Sequence, residues 1–122
     1  MHDILEPRHH MIDYVEFASA DPQTMCVFYE ATLGWSFEWF GPDYATFHGA
    51  GLEGGIYRAD MANRSADGGA LIVFHSRDLE ASEALVLSHG ASIIKPVFDC
   101  PGGRRFQFAE PTGNEFAFWS NV

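Results

Sequence analysis

The feature of this 122-residue chain that most constrains its fold is a repeated order of predicted elements. A strand, a helix and three further strands occur in the first half of the chain and again in the second half. Asp21 and Asp78 are each placed to cap the N-terminus of a helix, and Gly34 and Gly90 are each placed to end one. The two aspartates are about 57 residues apart, close to half of the chain. This offset predicts an internally duplicated βαβββ unit.

The spacing of apolar residues supports the individual elements. Val15 and Phe17 alternate with other residues ahead of the first helix, as expected of a strand. The first helix is predicted over residues 22–33, because apolar side chains recur there at spacings of three and four. Pro96 interrupts the sixth predicted strand and removes a backbone donor, so we expect this strand at the edge of a sheet.

The same patterns predict one domain in residues 11–122, preceded by a flexible arm formed by residues 1–10. Within the domain, the first module covers about residues 11–58 and the second about residues 70–121, with a polar linker over about 59–69. Either module alone would leave the open face of a curved sheet without a partner. We therefore expect an α+β fold, in which paired βαβββ modules form a cupped eight-stranded mixed sheet with helices on its outer face.

The acidic composition excludes several classes of partner. Seven Lys and Arg residues against 17 Asp and Glu residues give a formal net charge of −10. We expect no nucleic-acid partner, because binding to phosphates needs a basic face that displaces counterions. We expect no membrane partner either, because no segment approaches the roughly 20 apolar residues of a membrane span. Without the apolar segment of a secretory signal near its start, the protein is expected to be cytoplasmic. The charge mildly favours neutral or cationic ligands.

Several motifs resemble the vicinal oxygen chelate superfamily, which includes glyoxalases, bleomycin-resistance proteins and extradiol dioxygenases. The resemblance covers about residues 11–121. It is carried most specifically by FYEATLGW at residues 28–35, GGIYR at 54–58 and EPTGNEFAFW at 110–119. It implies paired βαβββ modules whose cupped sheet holds a small-molecule site. It also implies a homodimer, for which the aromatic fraction of 15% leaves an apolar surface available.

The resemblance further implies where metal-dependent members of the superfamily would hold a divalent ion. The ligand positions correspond to Tyr14 on the first strand, Gly54 or Gly55 on the fourth, Leu71 or Ile72 on the fifth, and Ala117 on the last. Three of these four positions lack a side chain able to ligate, and tight binding of a divalent ion needs three or more protein ligands. We therefore expect no metal and no other cofactor, and we assign no catalytic residue.

If Tyr14 occupies the first of these positions, strand parity predicts which side chains line the cup. The predicted ligand-binding residues combine aromatic rings, carboxylates and a histidine: Tyr14, Glu16, His48, Tyr57, Glu115 and Trp119. Such a lining suits a planar or cationic organic ligand. Alternatively, the two glutamates lie at strand ends in water and the rings belong to the core. Parity does not fix the face that carries His48, and it places His75 opposite to the ligand face.

These features predict a small-molecule binding protein, related to glyoxalases and bleomycin-resistance proteins, in which the metal site is degenerate. Two alternatives stay open. One is a metal-dependent lyase, isomerase or dioxygenase with ligands at unusual positions such as Glu16, His48 and Glu115. The other is a non-catalytic scaffold dimer whose cup is filled by its own side chains. Whether the protein is an enzyme is left open by the sequence.

Overall fold

The computed structural model describes residues 6–122. The predicted arm, residues 1–10, lies partly outside these residues, and its described part, 6–10, contains neither a helix nor a strand. The chain divides into two compact units, with the boundary between Met61 and Ala62. Each unit contains one set of elements in the order βαβββ.

The first unit is a four-stranded mixed sheet with one helix. Its elements are β1 (Tyr14–Ser19), α1 (Pro22–Leu33), β2 (Ser36–Trp39), β3 (Tyr44–His48) and β4 (Glu53–Arg58). The strand order is β1-β4-β3-β2, in which β1 and β4 are parallel and the other neighbours are antiparallel. The parallel pair requires the chain to cross over between β1 and β4, and α1 lies within that connection.

The second unit repeats this arrangement. Its elements are β5 (Ile72–His75), α2 (Leu79–Ser88), β6 (Ser92–Cys100), β7 (Gly103–Ala109) and β8 (Glu115–Ser120). The order β5-β8-β7-β6 again contains one parallel pair, β5 with β8. The predicted α+β class and the pair of βαβββ modules are confirmed. The strand that contains Pro96, β6, lies at an edge as predicted.

Both helices begin at the predicted aspartates. The Asp21 carboxylate accepts hydrogen bonds from the backbone N–H of Thr24 at 3.3 Å and from the Thr24 hydroxyl at 2.7 Å. The Asp78 carboxylate accepts from the backbone N–H of Ala81 at 3.1 Å. Gly34 ends α1 at a φ of +72°, a conformation that glycine adopts without strain. Within residues 6–122, neither helix has the length and apolarity needed to cross a bilayer.

Each helix covers one face of its own sheet, and aromatic rings fill the space between the helix and that sheet. In the first unit, Tyr29 of α1 stacks on Trp35 at 4.3 Å between ring centroids, and Trp35 stacks on Phe47 of β3 at 4.5 Å. In the second unit, the core contains Leu79 and Val86 of α2 together with rings from three strands: Phe74, Phe106, Phe108, Phe116 and Phe118. Because strand side chains alternate, the opposite face of each sheet carries the polar residues.

Candidate functional site

The candidate site is the face of the first sheet that points away from α1, which we call the first polar face. Strand pairing fixes its members, since Glu16 lies opposite Gly55, and Gly55 lies opposite Thr46. The same register places Tyr57 opposite Tyr44. The first polar face thus consists of Tyr14 and Glu16 on β1, Tyr44, Thr46 and His48 on β3, and Glu53, Gly55 and Tyr57 on β4.

At the centre of this face, the Tyr44 side chain extends from β3 across Gly55 of β4. A Cβ atom at Gly55 would lie 2.2 Å from the Tyr44 hydroxyl, so the ring occupies space that any other residue at position 55 would fill. This placement lets Tyr44 reach β1, where its hydroxyl donates to the Glu16 carboxylate at 2.8 Å. The Tyr14 hydroxyl is hydrogen-bonded to the Tyr44 hydroxyl. Three side chains from two non-adjacent strands therefore form one hydrogen-bonded chain.

The direction of the protons in this chain follows from the single proton on each phenol. Tyr44 uses its proton toward Glu16, so Tyr14 is the donor in the bond between the two hydroxyls. Burial, assisted by the bonds to Tyr14 and Glu16, raises the pKa of the Tyr44 hydroxyl above its ordinary value and keeps that proton in place. The oxygens of all three groups then offer lone pairs, and none of them offers a proton to a ligand.

A second polar pair lies at the other end of the same face. The Nδ1 of His48 contacts the Glu53 carboxylate, and the two side chains are 12% and 17% exposed. The Nε2 of His48 is 3.5 Å from the Thr46 hydroxyl. A carboxylate at Nδ1 fixes the ring orientation and favours a proton on that nitrogen. The structure therefore places His48 on the same face as Glu16, which strand parity in the sequence left undecided.

The predicted residues of the second unit have different surroundings. Glu115 is buried, and its carboxylate accepts hydrogen bonds from the backbone N–H of Ser65, at 3.3 Å, and from the Ser65 hydroxyl. Glu115 thereby ties the short 3₁₀ helix at residues 65–67 to the start of β8. Trp119 is half-buried and its ring meets the His75 ring edge-on at 5.0 Å.

The placement of His75 predicted from the sequence is wrong. His75 lies opposite Trp119, and Val73 lies opposite Ala117, so His75 shares the face of Trp119 and Ala117. The sequence left the fifth-strand ligand position at Leu71 or Ile72, and the observed pairing gives Leu71, not Ile72, the parity of the Ala117 face. A difference of one residue moves every side chain to the other face. The Nε2 of His75 is 2.9 Å from the side-chain oxygen of Asn121.

The residues at the positions of the superfamily's metal ligands do not fit a divalent ion. The Tyr14 hydroxyl is engaged with Tyr44, Ala117 is fully buried, and Ile72 is paired with Phe116 on the core face. A Cβ atom at Gly54 would lie 2.2 Å from the backbone oxygen of Val15, so no ligating side chain has room at that position. Across the part of the chain that the structure describes, no three His, Cys, Asp or Glu side chains are grouped to hold a metal ion.

The predicted site did not include Tyr44 and Glu53, whose side chains contact Glu16 and His48 on the first polar face. Tyr44 shares the parity of His48, and Glu53 shares the parity of Gly55 and Tyr57, so alternation along β3 and β4 contained both signals. Neither residue was included in the predicted site, because strand pairing determines which residues meet and alternation along a single strand does not reveal that pairing. Tyr44 reaches Glu16 only because β4 lies between their strands and carries a glycine there.

A comparison with protein families finds one match of long extent. Residues 11–118 match the family described as the glyoxalase/bleomycin resistance protein/dioxygenase superfamily. This span includes both modules. None of the curated proteins matches the chain.

Solved structures with the same fold have low sequence identity to this chain. Protein ATC0852 from Agrobacterium tumefaciens has a TM-score of 0.78 at 18% identity, covering 93% of this chain and 99% of that one. A glyoxalase-related enzyme from Fulvimarina pelagi has a TM-score of 0.75 at 13% identity, covering 93% and 89%. The bleomycin-binding protein from Streptomyces verticillus, solved with copper(II)-bleomycin, has a TM-score of 0.64 at 18% identity, covering 95% and 100%.

Proposed function

The chain belongs to the glyoxalase/bleomycin resistance protein/dioxygenase superfamily, and from this premise we propose that it binds a planar, cationic organic molecule on the first polar face. Tyr14, Glu16, His48 and Tyr57 contact the ligand in this proposal. In the second unit, Trp119 presents a half-buried aromatic ring, and Glu115 holds the segment around Ser65 in place. The metal site is degenerate in this proposal, and the protein acts in the cytoplasm as a homodimer.

The observation that carries the proposal is the hydrogen-bonded chain from Tyr14 through Tyr44 to Glu16. Since its oxygens only accept, a ligand must bring the donors. A cationic N–H group makes a charge-assisted hydrogen bond with such an acceptor, which is about twice as strong as a neutral one. A ligand carboxylate placed there would meet lone pairs and a like charge.

The charge of the first unit favours the same class of ligand. Residues 1–61 contain ten Asp and Glu residues and two Lys and Arg residues. One of those two, Arg58, is ion-paired with Asp43. Glu16 and Glu53 belong to the first polar face, and Glu38 on the neighbouring strand β2 points to the same side of the sheet because it pairs with Thr46. The summed negative potential raises the local concentration of cations.

Exposed rings supply the complementary surface for a planar ligand. Tyr14 is 42% exposed and Tyr57 is 38% exposed. A cation that lies over such a ring gains about 0.5–2 kcal/mol. The solved complex of the Streptomyces verticillus protein is an example of this fold with an organic ligand, copper(II)-bleomycin.

Three nearly isosteric probes test the proposal: benzamidinium, benzamide and benzoate, each titrated into the protein and followed by the backbone amide NMR signals of Gly55 and Tyr57. We expect benzamidinium to bind at least about 10-fold more tightly than benzamide, because one charge-assisted bond contributes about 1.4 kcal/mol or more. Glu16→Gln should remove this advantage. Glu30→Gln makes the same charge change on the exposed side of α1 and should leave the affinity unchanged.

The outcome distinguishes a specific site from a general effect of negative charge. Equal loss of benzamidinium affinity in the two variants would contradict the proposal, as would equal affinities for benzamidinium and benzamide. The homodimer is tested separately by light scattering coupled to size-exclusion chromatography, where a mass near 13.6 kDa would contradict it.

A further inference from the structure

The second sheet carries two cations on one aromatic ring. On the face opposite α2, the Nζ of Lys95 lies 5.7 Å from the centre of the Phe98 ring, and the guanidinium carbon of Arg105 lies 5.5 Å from it. Strand pairing places Lys95 opposite Gln107, and Phe98 opposite Arg105. We call Lys95, Phe98, Arg105 and Gln107 the Arg105 patch. Trp119 adjoins it, since it lies opposite Arg105 on β8.

Within the described residues, the Arg105 guanidinium donates one hydrogen bond to another side chain. A guanidinium has five N–H groups. In Arg105, the Nη2 donates to the side-chain oxygen of Gln107 at 2.8 Å, and the Nε is buried without a hydrogen-bond partner among the described residues. A buried N–H without a partner is costly, and a carboxylate is the partner whose geometry matches two N–H groups of a guanidinium at once.

Neither cation of the patch has an acidic partner in the described part of the chain, where ion pairs join His48 to Glu53, Arg58 to Asp43, and Arg104 to Glu80. Of the seven Lys and Arg residues, only Arg58 and Arg104 form ion pairs within the described residues, and Lys95 and Arg105 differ from the other cations without an ion pair in sharing one aromatic ring. The neighbouring Arg104, by contrast, contacts the Glu80 carboxylate at 2.6 Å. Two cations left together without a carboxylate form a surface that attracts an anion.

The strand register explains why no carboxylate meets Arg105. Tyr44 and Arg105 hold corresponding places, since they lie opposite Tyr57 and Trp119 in their respective sheets. On the parallel strand, Glu16 corresponds to Val73, which lies opposite Ala117 as Glu16 lies opposite Gly55. The first sheet thus provides a carboxylate for Tyr44, and the second provides an isopropyl group in its place.

We propose that the Arg105 patch binds the carboxylate of a planar aromatic acid, with Arg105 as the bidentate partner and Trp119 beside the ligand ring. Lys95 contributes charge, and Phe98 keeps both cations over one apolar surface. All residues of this proposed site belong to the second unit, and the site takes the opposite ligand charge, so the proposal does not rest on the function proposed above.

Benzoate tests the site, with benzamide as the neutral isostere and inorganic phosphate as a non-planar anion. The readouts are the indole N–H signal of Trp119 and the Nε–H signal of Arg105 in the NMR spectrum. We expect benzoate to shift both signals and to bind at least about 10-fold more tightly than benzamide. Arg105→Gln should abolish this preference. Arg104→Gln is the matched control, because it removes the adjacent guanidinium from the other face and should leave benzoate binding unchanged.

Arg105→Lys separates planar pairing from charge alone. It retains the charge without the planar pair of donors, and we expect it to weaken benzoate binding while retaining folding. Equal affinity for benzoate and benzamide in the unmodified protein would overturn the proposal. So would binding of phosphate without benzoate, or equal losses in Arg105→Gln and Arg104→Gln. Because Glu16→Gln should leave benzoate binding unchanged and Arg105→Gln should leave benzamidinium binding unchanged, failure at one site is distinguishable from failure at the other.

Discussion

The two modules have the same order of elements and the same pattern of strand pairing, yet their polar faces differ in charge and in hydrogen-bonding capacity. Residues 1–61 have a formal charge of −8 and residues 62–122 one of −2. The first polar face presents acceptors around Tyr44, whereas the corresponding place in the second sheet holds Arg105. The repeated fold therefore sets the position of a side chain, and the residue type at that position determines the charge of the ligand that can bind there.

The substitution expected to have the largest effect lies on the core side of the first sheet. Gly54 faces the core, where a Cβ atom would lie 2.2 Å from the Val15 backbone oxygen and 2.4 Å from the Phe47 ring. In the second sheet the corresponding residue is Phe116, which is also buried. We expect Gly54→Ala to lower the free energy of unfolding by about 3 kcal/mol, because the backbone cannot move away from the added methyl group. Urea denaturation measures this loss.

Gly55→Ala is the matched control, since the same methyl group is added to the next residue and faces Tyr44. A side chain can move, so we expect a smaller loss of about 1 kcal/mol together with a weakened affinity for benzamidinium. If the variant at position 55 were the less stable of the two, the assignment of core and polar faces would be wrong.

A second, smaller test concerns the turn before β8, where a carboxylate is buried. The corresponding turn of the first module contains glycines in place of that carboxylate. Glu110 is 2% exposed, and its carboxylate accepts from the backbone N–H groups of Thr112 at 2.9 Å and Asn114 at 2.8 Å. Burial raises the pKa of Glu110 above its ordinary value, against the opposing effect of these hydrogen bonds. The folded protein therefore binds this proton more tightly than the unfolded chain does.

The sign of the pH dependence follows from linkage. Stability contributed by the protonated Glu110 is fully present below the unfolded pKa of 4.5 and is lost as the pH rises through the raised folded pKa. We expect the free energy of unfolding of the unmodified protein, minus that of Glu110→Gln, to decrease from pH 4 to pH 7. Urea titrations at several pH values measure it, and a difference that increases with pH would contradict the burial argument.

The smallest expected effect is that of a chelator. Three of the four positions implied for the superfamily's metal ligands lack a side chain able to ligate. If the metal site is degenerate as proposed, protein purified without chelator should contain less than stoichiometric metal. Addition of EDTA should change the melting temperature by less than about 1 °C. Stoichiometric zinc, nickel, manganese or iron, retained through dialysis and lost together with stability, would contradict a degenerate site.

Local signals in the sequence predicted the elements well. Aspartate caps, a glycine in the left-handed conformation and alternation of apolar residues act over a few neighbouring residues, so they are readable without a structure. Asp21, Asp78 and Gly34 perform the predicted roles. The edge position of β6 followed from the backbone donor that Pro96 lacks.

Contacts across strands could not be read in this way. Glu115 is tied to Ser65, 50 residues earlier in the chain, and Tyr44 reaches Glu16 across an intervening strand. The face predicted for His75 was wrong, because the register assumed from the sequence differs by one residue from the observed one. Each of these contacts requires knowledge of which strands pair and in which register, and many registers are compatible with the same alternation.

The sequence by itself determined the duplicated βαβββ order and the residue at which each helix begins, because these depend on residue type and short-range spacing. Only the tertiary structure decided that Tyr14, Tyr44 and Glu16 are joined by hydrogen bonds and that, within residues 6–122, no carboxylate forms an ion pair with Arg105. Those facts depend on parallel pairing between strands distant in the chain, which brings together residues that no local pattern connects.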